Sequence, residues 1–250
     1  MPNRAPSELV WDLPTPAGER RPGRAAAERR TGRAGGDATI GRGRGLTRDA
    51  IVAAAIAVAD QDGLDAVSIR RVAGDLDVRP MSLYTHIASK EDLLDLMVNE
   101  VIGEALVPEP LPGDWRDVVR EIAVRSHDAF VAHPWVTQAF SQRPRFGPNA
   151  LRHAEQSIAA IAALGLDERT AATLLAIVDE YALGHAMRAM ITPSEDELRG
   201  MFAETLRATE DLSEYPHLAA AGVAMPREDA FELGLDALLE GLERRLVRRS

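Results

Sequence analysis

Residues 46–98 read LTRDAIVAAAIAVADQDGLDAVSIRRVAGDLDVRPMSLYTHIASKEDLLDLMV, and this stretch decides the fold. Thr47 suits an N-cap, with Ile51, Ala55, Val58 and Ala59 following at helical spacing. Gly63 stops that helix. Ser68 caps a second, whose apolar face is Ile69, Val72, Ala73 and Leu76. Leu76-Asp77-Val78-Arg79 leaves room only for a turn. Pro80 suits the first position of a third helix, where its missing N–H costs nothing. From there Leu83 and Ile87 point inward, while Met81, Ser82 and Thr85 face out. Ser89 and Asp92 have capping-box spacing and open a fourth helix, Glu91–Leu106, carrying Leu93, Leu94 and Met97. The second and third helices make a helix-turn-helix, whose second helix is shaped to enter the major groove of DNA. Caps and apolar periodicity alone would also suit any small helical bundle.

The run from Val78 to Lys90 separates those readings. Its core, Ser82, Leu83, Tyr84, His86, Ile87 and Lys90, resembles the tetracycline-repressor family. GLDAVSIRRVA before it and KEDLLD after it extend the likeness, which is strong over residues 46–106 and weaker to about 246. The resemblance implies a dimeric DNA-binding regulator with a helical ligand-binding body. It also implies that Thr47, Ser68, Arg70, Arg79, Pro80, Met81, Ser82, Tyr84, Thr85, His86 and Lys90 contact DNA. Arg70 would reach a base or phosphate, as the usual bidentate reader of guanine. The exposed residues Pro80, Met81 and Thr85 suit thymine methyls, and Arg79 suits phosphate or a base edge. Ser82, Tyr84, His86 and Lys90 match phosphate-holding positions. Lys90 is the only lysine and lies in a first helical turn, where the dipole disfavours a cation; a phosphate contact accounts for that placement.

Charge is unevenly placed in this chain of 250 residues and net charge −10. Residues 1–45 hold nine arginines against five acids, a balance of +4, while the rest holds 20 basic and 34 acidic residues, a balance of −14. The first segment is rich in Gly, Pro, Ala and Arg and is expected to be a disordered basic arm, either adding phosphate contact or without a role. An acidic body is compatible with DNA binding, because phosphate contacts need cations and helix N-termini at one face only. No cysteine is present, so disulfides and thiolate chemistry are excluded, in keeping with a bacterial cytoplasmic protein. No run of eighteen apolar residues and no signal-peptide core occurs.

Beyond the Pro-rich break at Pro108–Pro112, helices are expected over Asp114–His133, Trp135–Ser141, Asn149–Leu164, Asp167–Ile191, from the capping box of Ser194 and Glu197 to Thr209, and over Arg227–Leu246. The expected fold is all-α, with a head at 46–106 and a ligand-binding and dimerisation domain at 113–247. The last helix carries Phe231, Leu235, Leu238, Leu242 and Leu246 on one stripe, with Gly234 and Gly241 beside it. The resemblance implies that this helix and Asp167–Ile191 pair with their copies as a four-helix bundle, through Leu174, Val178, Phe231, Gly234, Leu235, Leu238, Gly241 and Leu242.

For the ligand, Trp115, Phe130, Trp135, Phe140, Tyr181, Met187 and Met190 suit either an apolar pocket or ordinary core. His127, Asp179, Glu180 and His185 are candidates to orient a ligand, or else surface groups. Ungapped alignment with the tetracycline repressor puts Ala139 and Arg188 where that protein holds magnesium with His and Glu, so no metal and no cofactor are expected. The leading expectation is a homodimeric repressor released from a palindromic operator by a small-molecule effector. Two alternatives stand beside it: a helical enzyme or carrier with a relic head, and a regulator controlled by a partner. No catalytic set of residues supports an enzyme.

Overall fold

The computed structural model describes residues 45–111, 113–142, 146–191, 195–209, 215–217 and 229–247. The expected arm therefore lies, apart from Gly45, outside the described residues, as do Arg143-Pro144, Ser194 of the expected capping box and Gly222. Ten α-helices order these residues: α1 (Arg48–Asp62), α2 (Ile69–Asp75), α3 (Pro80–Leu83), α4 (Lys90–Glu104), α5 (Trp115–Ala132), α6 (Trp135–Gln142), α7 (Pro148–Ile161), α8 (Glu168–Ile191), α9 (Glu195–Ala208) and α10 (Ala230–Leu242). No strand occurs among the described residues.

The caps read from sequence are in place. Thr47 accepts from the Ala50 N–H at 3.1 Å, Ser68 from Arg71 at 3.2 Å and Ser89 from Asp92 at 3.0 Å. Asp114 accepts from Arg116 and Asp117 at 2.8 and 3.2 Å, and so opens α5. Helix ends shift by a few residues: α7 begins at Pro148 and yields to a 3-10 turn at Ala162–Leu164, while α10 gives way to a π turn at Glu243–Val247. The third helix is shorter than its apolar spacing suggests. After Leu83 the chain tightens, with His86 N–H bonding Leu83 C=O at 2.9 Å.

One apolar core joins α1–α4 and continues into Ala129, Trp135, Val136 and Ala139 of α5 and α6. Ile51, Val67, Leu83, Ile87, Leu93 and Met97 are almost wholly buried in it. Each such large side chain stabilises the fold by about 1.5–3 kcal/mol. Polar ties close the seam between head and body. Asp60, near the end of α1, accepts from Trp135 Nε1 at 2.7 Å and contacts His133 Nδ1 at 2.8 Å, while His133 Nε2 lies 3.3 Å from Glu104.

A second core packs α5, α8 and α10 with the end of α7, through Val119, Ala123, Ile161, Leu174, Val178, Ala182, Phe231, Leu235, Leu239 and Leu242. Arg120 bridges Glu232 and Asp236, both at 2.9 Å, and binds α10 to α5 from the outside. Helix α7 is fastened by two amide clamps, one to α4 and one to the segment that follows it. Asn149 donates to Asn99 Oδ1 and to its carbonyl at 2.9 and 2.7 Å. Gln156 accepts from and donates to the Val107 backbone at 3.1 and 2.7 Å.

Candidate functional site

The turn between α2 and α3 places Asp77 at φ 54°, in the left-handed region that non-glycine residues seldom occupy, though Asp and Asn tolerate it best. That turn sets α3 across the end of α2. Leu83 and Ile87 anchor α3 from beneath, so Pro80, Met81, Tyr84 and Thr85 project into solvent, Met81 at 73 % exposure. A methionine this exposed gains nothing from the core and is available to a base edge. Thr85 Oγ1 donates to the Ser82 carbonyl at 2.7 Å. Its hydroxyl proton is thereby engaged, and the side chain presents a methyl and an acceptor.

The two adjacent arginines of α2 differ sharply. Arg71 is held by Asp62 at 2.9 Å and Asp75 at 3.1 Å, and hydrogen bonds to Asp75 and then Asp62 raise its pKa further. Arg70 is exposed and has no hydrogen bond or ion pair among the described residues. Arg79 is exposed and likewise unpaired, and half-buried Lys90 opens α4 immediately after its Ser89 cap. Ser82 and His86 are half-buried beside Tyr84. Thr47 and Ser68 accept from backbone N–H groups as caps, which leaves each hydroxyl proton available to a phosphate. Arg48 was not anticipated. It donates to the His86 carbonyl at 3.2 Å and fixes the start of α1 against the loop after α3.

The aromatic candidates fall into two groups rather than one pocket. Phe130 and Phe140 pack against the first core, and Trp135 is buried within it. Trp115 and Tyr181 pack against the second. Met187 is exposed on α8, as are Asp179, Glu180 and Arg188, while the Met190 side chain lies outside what is described. Ala139 is buried in the first core. His127 stacks on Phe231 with centroids 3.9 Å apart, and Phe231 stacks on Tyr181 at 5.6 Å. His127 Nε2 lies 3.1 Å from His185 Nδ1, and desolvation, then His127 and Arg188, push the His185 pKa below 6.5. Open clefts of about 560 and 430 Å³ flank α5, and none of these aromatic side chains lines either.

Most of the expected dimer residues pack within the chain itself. Leu174, Val178, Phe231, Leu235 and Leu242 are buried in the chain's own second core. Leu238 is half-buried against the same core. Gly234 is explained by an intrachain contact, since a Cβ there would overlap the Tyr181 hydroxyl. A Cβ at Gly241 would meet nothing within 4 Å.

Residues 51–97 match the family model described as bacterial regulatory proteins, tetR family, and residues 107–246 match the tetracyclin repressor-like C-terminal domain. An HTH-type transcriptional regulator of Saccharopolyspora erythraea is 36 % identical over 70 % of this chain and 74 % of its own. The HTH-type transcriptional repressor DrrR1 of Streptomyces coeruleorubidus is 32 % identical, covering 82 % of this chain and 80 % of its own. Among solved structures, ActR of Streptomyces coelicolor in complex with actinorhodin superposes with a TM-score of 0.64 at 31 % identity, over 82 % of this chain and 99 % of that one.

Proposed function

The chain belongs to the tetR family of bacterial regulatory proteins, and from that premise we propose that it is a homodimeric repressor released from a palindromic operator by a small organic effector. It is a helix-turn-helix transcriptional regulator, and the relatives matched over most of its length are regulators rather than enzymes. The observation that carries the DNA reading is the face built around α3. Met81, Tyr84 and Thr85 are exposed on it, and Arg70, Arg79 and Lys90 on the same head have no hydrogen bond or ion pair among the described residues. On this reading Arg70, Met81 and Thr85 read bases, and Tyr84 and Lys90 hold phosphates. Ser82, His86, Thr47 and Ser68 add backbone contacts, and Pro80 and Arg79 bring the helix start to the groove.

A second copy binds, on our reading, through the outward stripes of α8 and α10. Leu233 and Ala237 on α10 are exposed, with Gly241 open one turn further, and Ala172, Ala176, Gly184 and Met187 are exposed on α8. Small side chains at these positions permit close approach of helices. Among the described residues no helix is long and apolar enough to cross a membrane. As a regulator that acts on bacterial DNA, it works on our reading in the cytoplasm.

The effector reading draws on ActR, whose solved structure holds actinorhodin, and on the paired imidazoles among stacked rings between α5, α8 and α10. Release requires the effector to prefer one spacing of the two heads, since equal affinity for both spacings shifts nothing. Fluorescence anisotropy with duplex from upstream of its own gene tests the whole reading. Saturable binding by a dimer, reversed by a small molecule, supports it. A chain that binds no duplex in any oligomeric state overturns it.

A further inference from the structure

We propose that Thr85 fixes one base of the operator as cytosine, its Oγ1 accepting from the N4 amino group while its methyl lies over C5. Cytosine and 5-methylcytosine are accepted there, and thymine is refused. This rests on the reading that the face around α3 enters the major groove, and it names the base that Thr85 reads. By residue type alone Thr85 suits a thymine methyl. The place of its hydroxyl proton changes that. Thr85 Oγ1 donates to the Ser82 carbonyl at 2.7 Å, whereas the Thr85 N–H reaches the same oxygen at 3.4 Å. The hydroxyl makes the shorter of the two bonds, and turning its proton toward DNA would give that bond up. A hydroxyl carries a single proton beside its lone pairs. With that proton engaged inside the chain, exposed Thr85 offers the groove an acceptor and a methyl, and no donor.

Those two groups can be matched against everything the groove presents. A phosphate oxygen only accepts, so it makes no bond to an oxygen without a free proton. Guanine shows N7 and O6, both acceptors, and thymine shows O4 beside its methyl. Either one sets lone pair against lone pair. Adenine offers its N6 amino group, but the neighbouring atom on that edge is the acceptor N7. A methyl laid over N7 strips water from it and returns no hydrogen bond. Cytosine offers its N4 amino group with the apolar C5–H beside it. Donor and apolar edge then meet acceptor and methyl, group for group. A methyl on C5 only enlarges the apolar half of that match. Met81, four residues earlier and 73 % exposed, has a weakly accepting thioether and brings no donor that would recruit a different base.

Selection by the full chain from a randomised duplex pool, repeated with two variants, tests this. Thr85→Val keeps the shape and removes the acceptor, so one selected cytosine in each half-site should become thymine while the other positions stay as they were. Thr85→Ser, which keeps the hydroxyl, should still select cytosine. Base analogues in the best selected duplex then probe the parent chain without altering it. Replacing that cytosine with 2-pyrimidinone, which lacks the amino group, should weaken the parent roughly tenfold more than Thr85→Val, the worth of one hydrogen bond. The same swap in Thr85→Val reads the cost of the weakened base pair alone. 5-Methylcytosine at that position should bind the parent at least as well as cytosine. A Thr85→Val chain that selects the parent's base, an equal loss with 2-pyrimidinone in both proteins, weaker binding on C5 methylation, or adenine as the base that Thr85→Val alters overturns the proposal. In each of those cases the chain still selects a duplex, so the regulator reading stands. A chain that selects no duplex loses both.

Discussion

Gly234 lies directly beneath the phenol of Tyr181. A methyl placed on Gly234 would overlap the hydroxyl and come within 2.9 Å of the ring carbon bearing it. The same hydroxyl donates to the Phe231 carbonyl at 3.0 Å, so α8 and α10 are registered by one side chain that needs a glycine opposite. Gly234→Ala should therefore destabilise the protein by about 1–3 kcal/mol through overpacking. Tyr181→Phe, which loses only the hydrogen bond, should cost about 1 kcal/mol. Denaturant melts of both, and of Gly234→Ala combined with Tyr181→Ala, check this. The double variant should recover much of the glycine penalty, because the clash has gone.

Asp77 gives a prediction of the opposite sign. At φ 54° it pays for a left-handed backbone that glycine adopts freely. Asp77→Gly should be neutral or stabilising, whereas Asp77→Val should cost at least about 1–2 kcal/mol. Thermal melting of the pair decides it. A valine variant as stable as the parent would mean that the turn relaxes.

Lys90→Ala should weaken binding to every duplex by a similar factor and flatten the salt dependence, because a phosphate contact positions without specifying. Arg70→Ala should change which bases are tolerated at one operator position, worth roughly 1–3 kcal/mol there. Selection from a randomised operator pool reads both. An unchanged preference at every position in Arg70→Ala would remove it from the readers.

Leu233, 58 % exposed at the centre of the outward stripe of α10, is the residue on which the dimer reading is most easily tested. Leu233→Glu should yield a folded monomer by sedimentation velocity, with operator affinity lost. A variant that remains dimeric would move the interface elsewhere.

His185 gives the pH dependence. Its pKa lies below the ordinary 6.5 because burial, then His127 and Arg188, disfavour the cation. As pH falls through 6.5 the unfolded chain takes up this proton before the folded chain does, so stability drops, levelling off only below the folded value. Above that window the group contributes no pH dependence. Melting temperatures between about pH 7.5 and 5 should fall less steeply for His185→Phe than for the parent.

The head was legible from sequence because its signals are local. The caps at Thr47, Ser68 and Ser89, the stop at Gly63 and the inward pair Leu83 and Ile87 each act within a few residues. The role of the apolar stripe on α10 is not legible from sequence, for a physical reason. An apolar stripe such as Phe231, Leu235 and Leu242 states that a helix face is covered, not whether the same chain covers it. Here α5 and α8 do, and the outward surface is the less apolar stripe of Leu233 and Ala237. The clamps of Asn99 with Asn149 and of Val107 with Gln156 join residues about fifty apart, and no periodicity announces them. The pairing of His127 with His185 was equally hidden, since the partners lie on different helices.

The apolar core that begins in α1 ends in α6 without a polar layer between them. A truncation after α4 would strip Trp135 and Val136 from that core and leave Asp60 without its partners His133 and Trp135. The DNA-reading part is therefore no detachable cassette. Transplanted onto another body, it would carry a raw apolar wound that its own α5–α6 corner is shaped to close, so an exchange of this head must take that corner with it.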